Sequence, residues 1–114
     1  MFGCEENDFI SLSELQGQVK SRIGHLQRWV QVEIESHRVV GGHHYLNVIE
    51  KRKDGEAVAK ASARIWRSNE QVVRDFTAAT GRVLESGLSI VVNAFVDYHP
   101  LYGLTLVISE IDSS

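Results

Sequence analysis

Cysteine and proline occur once each in this 114-residue chain, as Cys4 and Pro100. A lone cysteine excludes an internal disulfide and a cysteine-built zinc cluster, so the fold has to rest on its hydrophobic core, and a reducing, cytoplasmic setting is expected. No window reaches the ~18 uninterrupted apolar residues that would span a membrane, and the opening MFGCEENDFI has neither a basic start nor a long apolar block. Neither an export signal nor membrane association is expected. An excess of positive charge is absent too: 12 Lys and Arg against 15 Asp and Glu leave a formal net charge of −3, which argues against a protein that holds nucleic acid by bulk charge. The length suits a single domain with a real core.

The charge is unevenly distributed. Glu5, Glu6, Asp8 and Glu14 stand before the first basic residue, leaving 12 basic and 11 acidic residues in the remainder. Residues 1–9 read as a flexible acidic arm and 10–112 as the folded domain. Basic residues gather in Lys51-Arg52-Lys53 and in the series Lys60, Arg64, Arg67, and a local stripe of this kind can hold a phosphate backbone without an alkaline protein.

Hydrophobic periodicity gives the element order. In SLSELQGQVKSRI, Leu12, Leu15, Val19 and Ile23 recur at helical spacing after Ser11 or Ser13 as cap, and Gly24 ends the helix. RWVQVEIES alternates, with Val30, Val32 and Ile34 on one face and Trp29, Gln31, Glu33 and Glu35 on the other. HHYLNVIE alternates after Gly41-Gly42, turning Leu46 and Val48 inward and His43, Tyr45 and Asn47 outward. Asp54-Gly55 signals a hairpin turn. VAKASARIW comes next, with Ala59, Ala61, Ala63 and Ile65 inward and Lys60, Ser62, Arg64 and Trp66 outward. SNEQVVRDFTAATG switches to helical period, with Val72, Val73 and Phe76 on one face, Ser68 or Asn69 at its start and Gly81 at its end. LSIVVNAFVDY and GLTLVISEI are two further strands joined through His99-Pro100-Leu101-Tyr102.

Helix, three strands, helix, two strands is the order of a five-stranded OB-fold Greek-key barrel with an added N-terminal helix, a predominantly β fold. An SH3-like barrel lacks the helix between strands three and four, and a ferredoxin-like fold needs two crossover helices elsewhere. The small alanines of strand three suit a tightly curved wall.

Catalytic chemistry finds little support. A hydrolase requires an activated nucleophile or a liganded metal. Cys4 lies in the terminal arm, and His43 and His44, adjacent on a strand, point to opposite faces and cannot chelate one ion together. No catalytic residue, metal or cofactor is expected within the chain. The outward residues of strands two and three are better candidates for a binding site. His43, Tyr45 and Asn47 beside Lys60, Arg64, Trp66 and Arg67 combine rings with cations, the pairing that sequence-tolerant binding of single-stranded nucleic acid uses. In an OB-fold this surface is flanked by the loop between strands four and five, which carries Tyr98, His99 and Tyr102. Pro100 is expected to stiffen that turn. Trp29 is expected to pack instead of binding.

Five blocks carry a family resemblance: ISLSEL at 10–15, WVQVEIES at 29–36, GHHYLNV at 42–48, ARIWRSN at 63–69 and YHPLYGLTLVISEID at 98–112. Together they resemble the N-terminal OB-fold domain of the bacterial exonuclease VII large subunit. That resemblance implies a single-stranded-DNA-binding module of an exodeoxyribonuclease that degrades single-stranded DNA to oligonucleotides. It implies as partners the catalytic region of the same large subunit, lying beyond this chain, and the small subunit reached through that region. The hairpin EKRKDGEAVAK is longer than the family's usual connection and carries Lys51, Arg52 and Lys53 near its tip. A protein-interaction or oligomerisation domain and a free-standing adaptor are the competing readings.

Overall fold

The computed structural model describes residues 8–113. In chain order these form α1 (Leu12–Ile23), β1 (Gln27–Val40), β2 (His43–Lys51), β3 (Ala57–Ile65), a 3-10 turn (Arg67–Asn69), α2 (Glu70–Thr80), β4 (Ser89–His99) and β5 (Gly103–Ile111). The strands close into a barrel in the order β1-β2-β3-β5-β4. Every pairing is antiparallel except β3 with β5. This is the five-stranded barrel with two helices that the periodicity predicts.

Closure depends on the length of β1. Its first half, Gln27 to Glu33, pairs with β4, and its second half, Glu33 to Val40, pairs with β2. Just past that exchange the register slips: Ile34 stands opposite Val48, but the next pair is Ser36 with Asn47. The extra residue, Glu35, is a β-bulge, which reverses the inward–outward phase of the residues beyond it. Val32 and Ile34 point into the barrel, yet so does His37, while Ser36 and Arg38 share the outer face with Asn47 and Tyr45. Simple alternation continued through the strand would have put Arg38 inside.

Ile34, Ile65, Val92 and Ile108 form the fully buried centre of the core. On β3, Ala63 is buried and Ala61 partly so, but Ala59 is exposed where the strand runs past the barrel's end. α2 buries Phe76 against this core, with Leu84 from the segment after it alongside. The helix ends at Gly81, whose φ of 72° is left-handed and whose N–H bonds the Thr77 carbonyl at 2.8 Å, the geometry for which glycine is favoured. Asn69 occupies the cap position without a side-chain capping bond; its amide donates to the Ser109 carbonyl at 2.9 Å instead. The side chain therefore ties α2 to β5.

α1 starts at Ser11, whose hydroxyl accepts from the Glu14 N–H at 3.1 Å. It meets the barrel through polar groups: Gln16 Nε2 donates to the Pro100 carbonyl at 3.0 Å and to the Tyr98 hydroxyl at 3.4 Å, and Lys20 lies 3.9 Å from Asp97. Ile23 is half-buried, whereas Leu12, Leu15 and Val19 remain exposed. None of the helices among the described residues is long and apolar enough to cross a membrane.

Candidate nucleic-acid interface

The paired outer faces of β2 and β3 carry the clearest constellation. Tyr45 stands opposite Arg64 and Asn47 opposite Ser62 across β2 and β3, and Arg38 stands opposite Tyr45 across β1 and β2. Three strands thus deliver side chains to one surface. The Arg64 guanidinium lies 5.4 Å from the Tyr45 ring centroid and 5.6 Å from that of Trp66, and Arg38 lies 5.5 Å from the Tyr45 ring. These are cation–π distances. His43 meets Trp66 edge to face at 5.2 Å and Tyr45 at 6.5 Å, while its Nδ1 accepts the Arg67 N–H at 2.9 Å. Neutral His43 therefore carries its proton on Nε2.

The local sequence explains the crowding. Gly42 has φ +83°, and a Cβ there would fall 2.7 Å from Arg67 Cδ and 2.9 Å from Cγ. The missing side chain lets Arg67 lie across the β1–β2 turn. Trp66 ends the extended run of β3, and the 3-10 turn after it swings Arg67 back toward β2.

Charge pairing separates the basic residues. Lys51 pairs with Glu33 at 3.0 Å, Lys60 with Glu35 at 3.4 Å, and Arg52 with both Asp54 and Glu56. Arg38, Arg64 and Arg67 form no ion pair among the described residues. The charge of these three arginines is not neutralised by a carboxylate among the described residues, whereas Lys51 and Lys60 are engaged by Glu33 and Glu35 of β1 and Arg52 by Asp54 and Glu56 of its own hairpin.

Below the ring cluster the surface continues as two adjoining hollows. One is lined by Ser36, Arg38, Tyr45, Asn47, Ser62 and Arg64. The other is lined by Glu35, Asn47, Lys60, Ser62 and Leu104. Asn47 is held in place by donating to Ser36 Oγ at 2.8 Å.

Among the residues expected at the site, His43, Tyr45, Arg64, Trp66 and Arg67 converge. Asn47 and Lys60 lie on the same face, lower down, with Lys60 engaged by Glu35. Tyr98, His99 and Tyr102 stand apart: the Tyr98 hydroxyl is bonded to Gln16, and His99 stacks on Tyr102 at 4.5 Å. No ring–ring or cation–ring contact joins them to the cluster among the described residues. From the β4–β5 hairpin, Leu104 is the residue that reaches the hollows. Arg38 and Ser36 were not legible, because the bulge that turns them outward leaves no mark on hydrophobic periodicity. Trp29, expected to pack, is 55% exposed on the outer face of β1 opposite Asn93. The acidic arm, including Cys4, lies largely outside the described residues.

On the opposite side of the same strands, His44 is buried. Its Nδ1 lies 2.8 Å from His37 Nε2, its Nε2 lies 2.5 Å from Glu70 Oε2, and the two imidazoles are nearly parallel at 5.0 Å. Burial, and then the neighbouring His44, hold His37 below the ordinary imidazole value; a backbone bond to Leu84 and the Glu70 charge pull the other way. His43 and His44 thus face opposite sides, and no group of three metal-ligating side chains occurs among the described residues.

Comparison with solved structures agrees with the barrel. The chain is similar to the mitochondrial single-stranded DNA binding protein Rim1 of S. cerevisiae in two crystal forms. One has a TM-score of 0.53 at 16% identity, covering 77% of this chain and 92% of that one. The other has a TM-score of 0.51 at 18% identity, covering 77% and 94%. No curated protein matches. A family model described as an OB-fold nucleic acid binding domain matches residues 10–112, almost the whole barrel with its helices, and the chain belongs to that family of OB-fold nucleic acid binding domains.

Proposed function

We propose that the domain binds single-stranded DNA across the outer face of β2 and β3, with Tyr45 and Trp66 stacking bases and Arg38, Arg64 and Arg67 taking phosphates. The observation that carries this reading is the joining of cations to rings: Arg38 and Arg64 lie over Tyr45, Arg64 also reaches Trp66, and neither has a carboxylate partner among the described residues, whereas the neighbouring Lys51, Arg52 and Lys60 are ion-paired. Ring stacking contributes about 1–3 kcal/mol per base and is tolerant of sequence, because every base has a π-face. Family membership supports nucleic acid as the ligand class, and the similar barrel of Rim1 belongs to a single-stranded DNA binding protein.

The finer reading is that the domain serves the large subunit of an exonuclease VII, feeding single-stranded DNA to a catalytic region of that enzyme in the cytoplasm. The five sequence blocks support it. In this role the domain contributes grip and no bond cleavage, and it needs no cofactor. Fluorescence anisotropy with a labelled oligonucleotide tests the binding directly. Affinity should fall as salt rises, with a slope near 0.7 per phosphate contact on a single strand. No binding, or binding indifferent to salt, would remove the proposal.

A further inference from the structure

The hydrogen-bonded His37–His44–Glu70 chain has no part in the ring and arginine contacts of the outer face, yet it is interleaved with them. His37 precedes Arg38 on β1; His44 lies between His43 and Tyr45 on β2; Glu70 opens α2 directly after the turn that carries Trp66 and Arg67. His37 and His44 thus sit on the inner side of strands whose outer side builds the groove, and Glu70 follows the turn that carries Arg67. The bonds His37–His44 and His44–Glu70 tie β1 to β2 and β2 to the start of α2; β1 carries Arg38, β2 carries Tyr45, and α2 follows directly on the turn that leads away from Trp66.

We propose that His37, His44 and Glu70 are positioning residues for the groove, and that their proton count makes oligonucleotide binding sensitive to acid. The proposal rests on the reading that this face binds single-stranded DNA.

Counting protons gives the direction. With both imidazoles neutral and Glu70 ionised, each ring donates once: His37 Nε2–H to His44 Nδ1, and His44 Nε2–H to Glu70. One added proton fits on the remaining nitrogen of His37, where it serves the backbone bond to Leu84 and leaves both of the other bonds intact. A further proton, on His44 Nδ1, opposes N–H to N–H across the 2.8 Å contact and puts two positive charges on stacked rings 5.0 Å apart. The bond between β1 and β2 must then break. His37, only half-buried, is the ring free to leave, and it takes the backbone next to Arg38 with it. The titratable groups acting on His37 are His44 from β2 and Glu70 from α2, with the Leu84 backbone from the segment after α2. His43 lies on the outer face within the ring cluster itself, so it is replaced before the inner rings are tested.

The test removes His43 first. In a His43→Gln background, affinity for a labelled oligonucleotide should hold above about pH 6.5 and fall several-fold as the pH is lowered below it, because His37 is depressed from that value. Adding His37→Gln, which can still donate to His44 but does not titrate, should flatten that fall. Adding Glu70→Gln instead keeps an acceptor for His44 while removing the negative charge that supports protonation, and it should move the fall to lower pH. His25 and His99 are the same in all three proteins. Superimposable pH profiles for the three proteins would overturn the proposal. Should the parent bind no oligonucleotide at neutral pH, the binding function fails on its own. Ring nitrogen-15 spectra then decide the positioning chain: Nε2-protonated tautomers of both rings at neutral pH support it, and averaged tautomers overturn it.

Discussion

The Arg64 guanidinium sits between two rings contributed by different segments, 5.4 Å from Tyr45 on β2 and 5.6 Å from Trp66 at the end of β3. One cation thereby joins two stacking surfaces without an ion pair to a carboxylate among the described residues. Such a group is half-desolvated by rings and still open to a phosphate, which makes it the natural first target for mutation.

Trp66→Ala should lower oligonucleotide affinity by about 1–3 kcal/mol with little change in salt slope, because a stacking surface is lost and no phosphate contact is. Trp66 is 37% exposed, so thermal melting should shift modestly. A loss of about 3–5 kcal/mol of folding stability, the cost of emptying a packed aromatic site, would assign the ring to the core instead.

Arg64→Ala and Arg38→Ala should each weaken binding and flatten the salt dependence by roughly one contact. Lys60→Ala and Arg52→Ala should do much less, since Glu35 already engages Lys60 and Asp54 and Glu56 engage Arg52. Anisotropy titrations at two or more salt concentrations rank the four. A ranking led by Arg52 would move the site to the hairpin tip.

Gly42→Ala places a Cβ at φ +83° and within 2.7 Å of the Arg67 side chain. The backbone strain alone is about 1–2 kcal/mol, and Arg67 must shift as well. Chemical denaturation should show that loss, and affinity should fall further than stability accounts for. A variant as stable and as tight as the parent contradicts the geometry.

Folding stability should depend on pH through His37. Its folded pKa is lowered from 6.5, chiefly by burial, so in the interval below 6.5 the unfolded chain takes up a proton that the folded chain resists. Stability is therefore fully present above about 6.5 and declines as pH falls toward the lowered value. Thermal melts across this interval should show the decline in the parent and a smaller one in His37→Gln. A parent flat across the interval would contradict the shift.

What the sequence determined by itself is local. The order of helices and strands, the Asp54-Gly55 turn, the helix stops at Gly24 and Gly81, and the outward placing of Tyr45, Arg64 and Trp66 all follow from period-two or period-3.6 patterns and from glycine's access to positive φ. These signals act within a few residues, so they can be read without knowing what the strands pack against. Tertiary structure decided whatever depends on which segments meet. The bulge at Glu35 is fixed by β1 leaving β4 for β2, and it turned Arg38 outward and His37 inward against the alternation. Long-range carboxylates, Glu33 and Glu35, sorted Lys51 and Lys60 from the unpaired arginines. Gln16 on α1 claimed Tyr98, and the closed barrel left Trp29 in the open. Barrel closure, through the parallel pairing of β3 with β5, set which side chains would share a face, and no local pattern in the chain encodes that pairing.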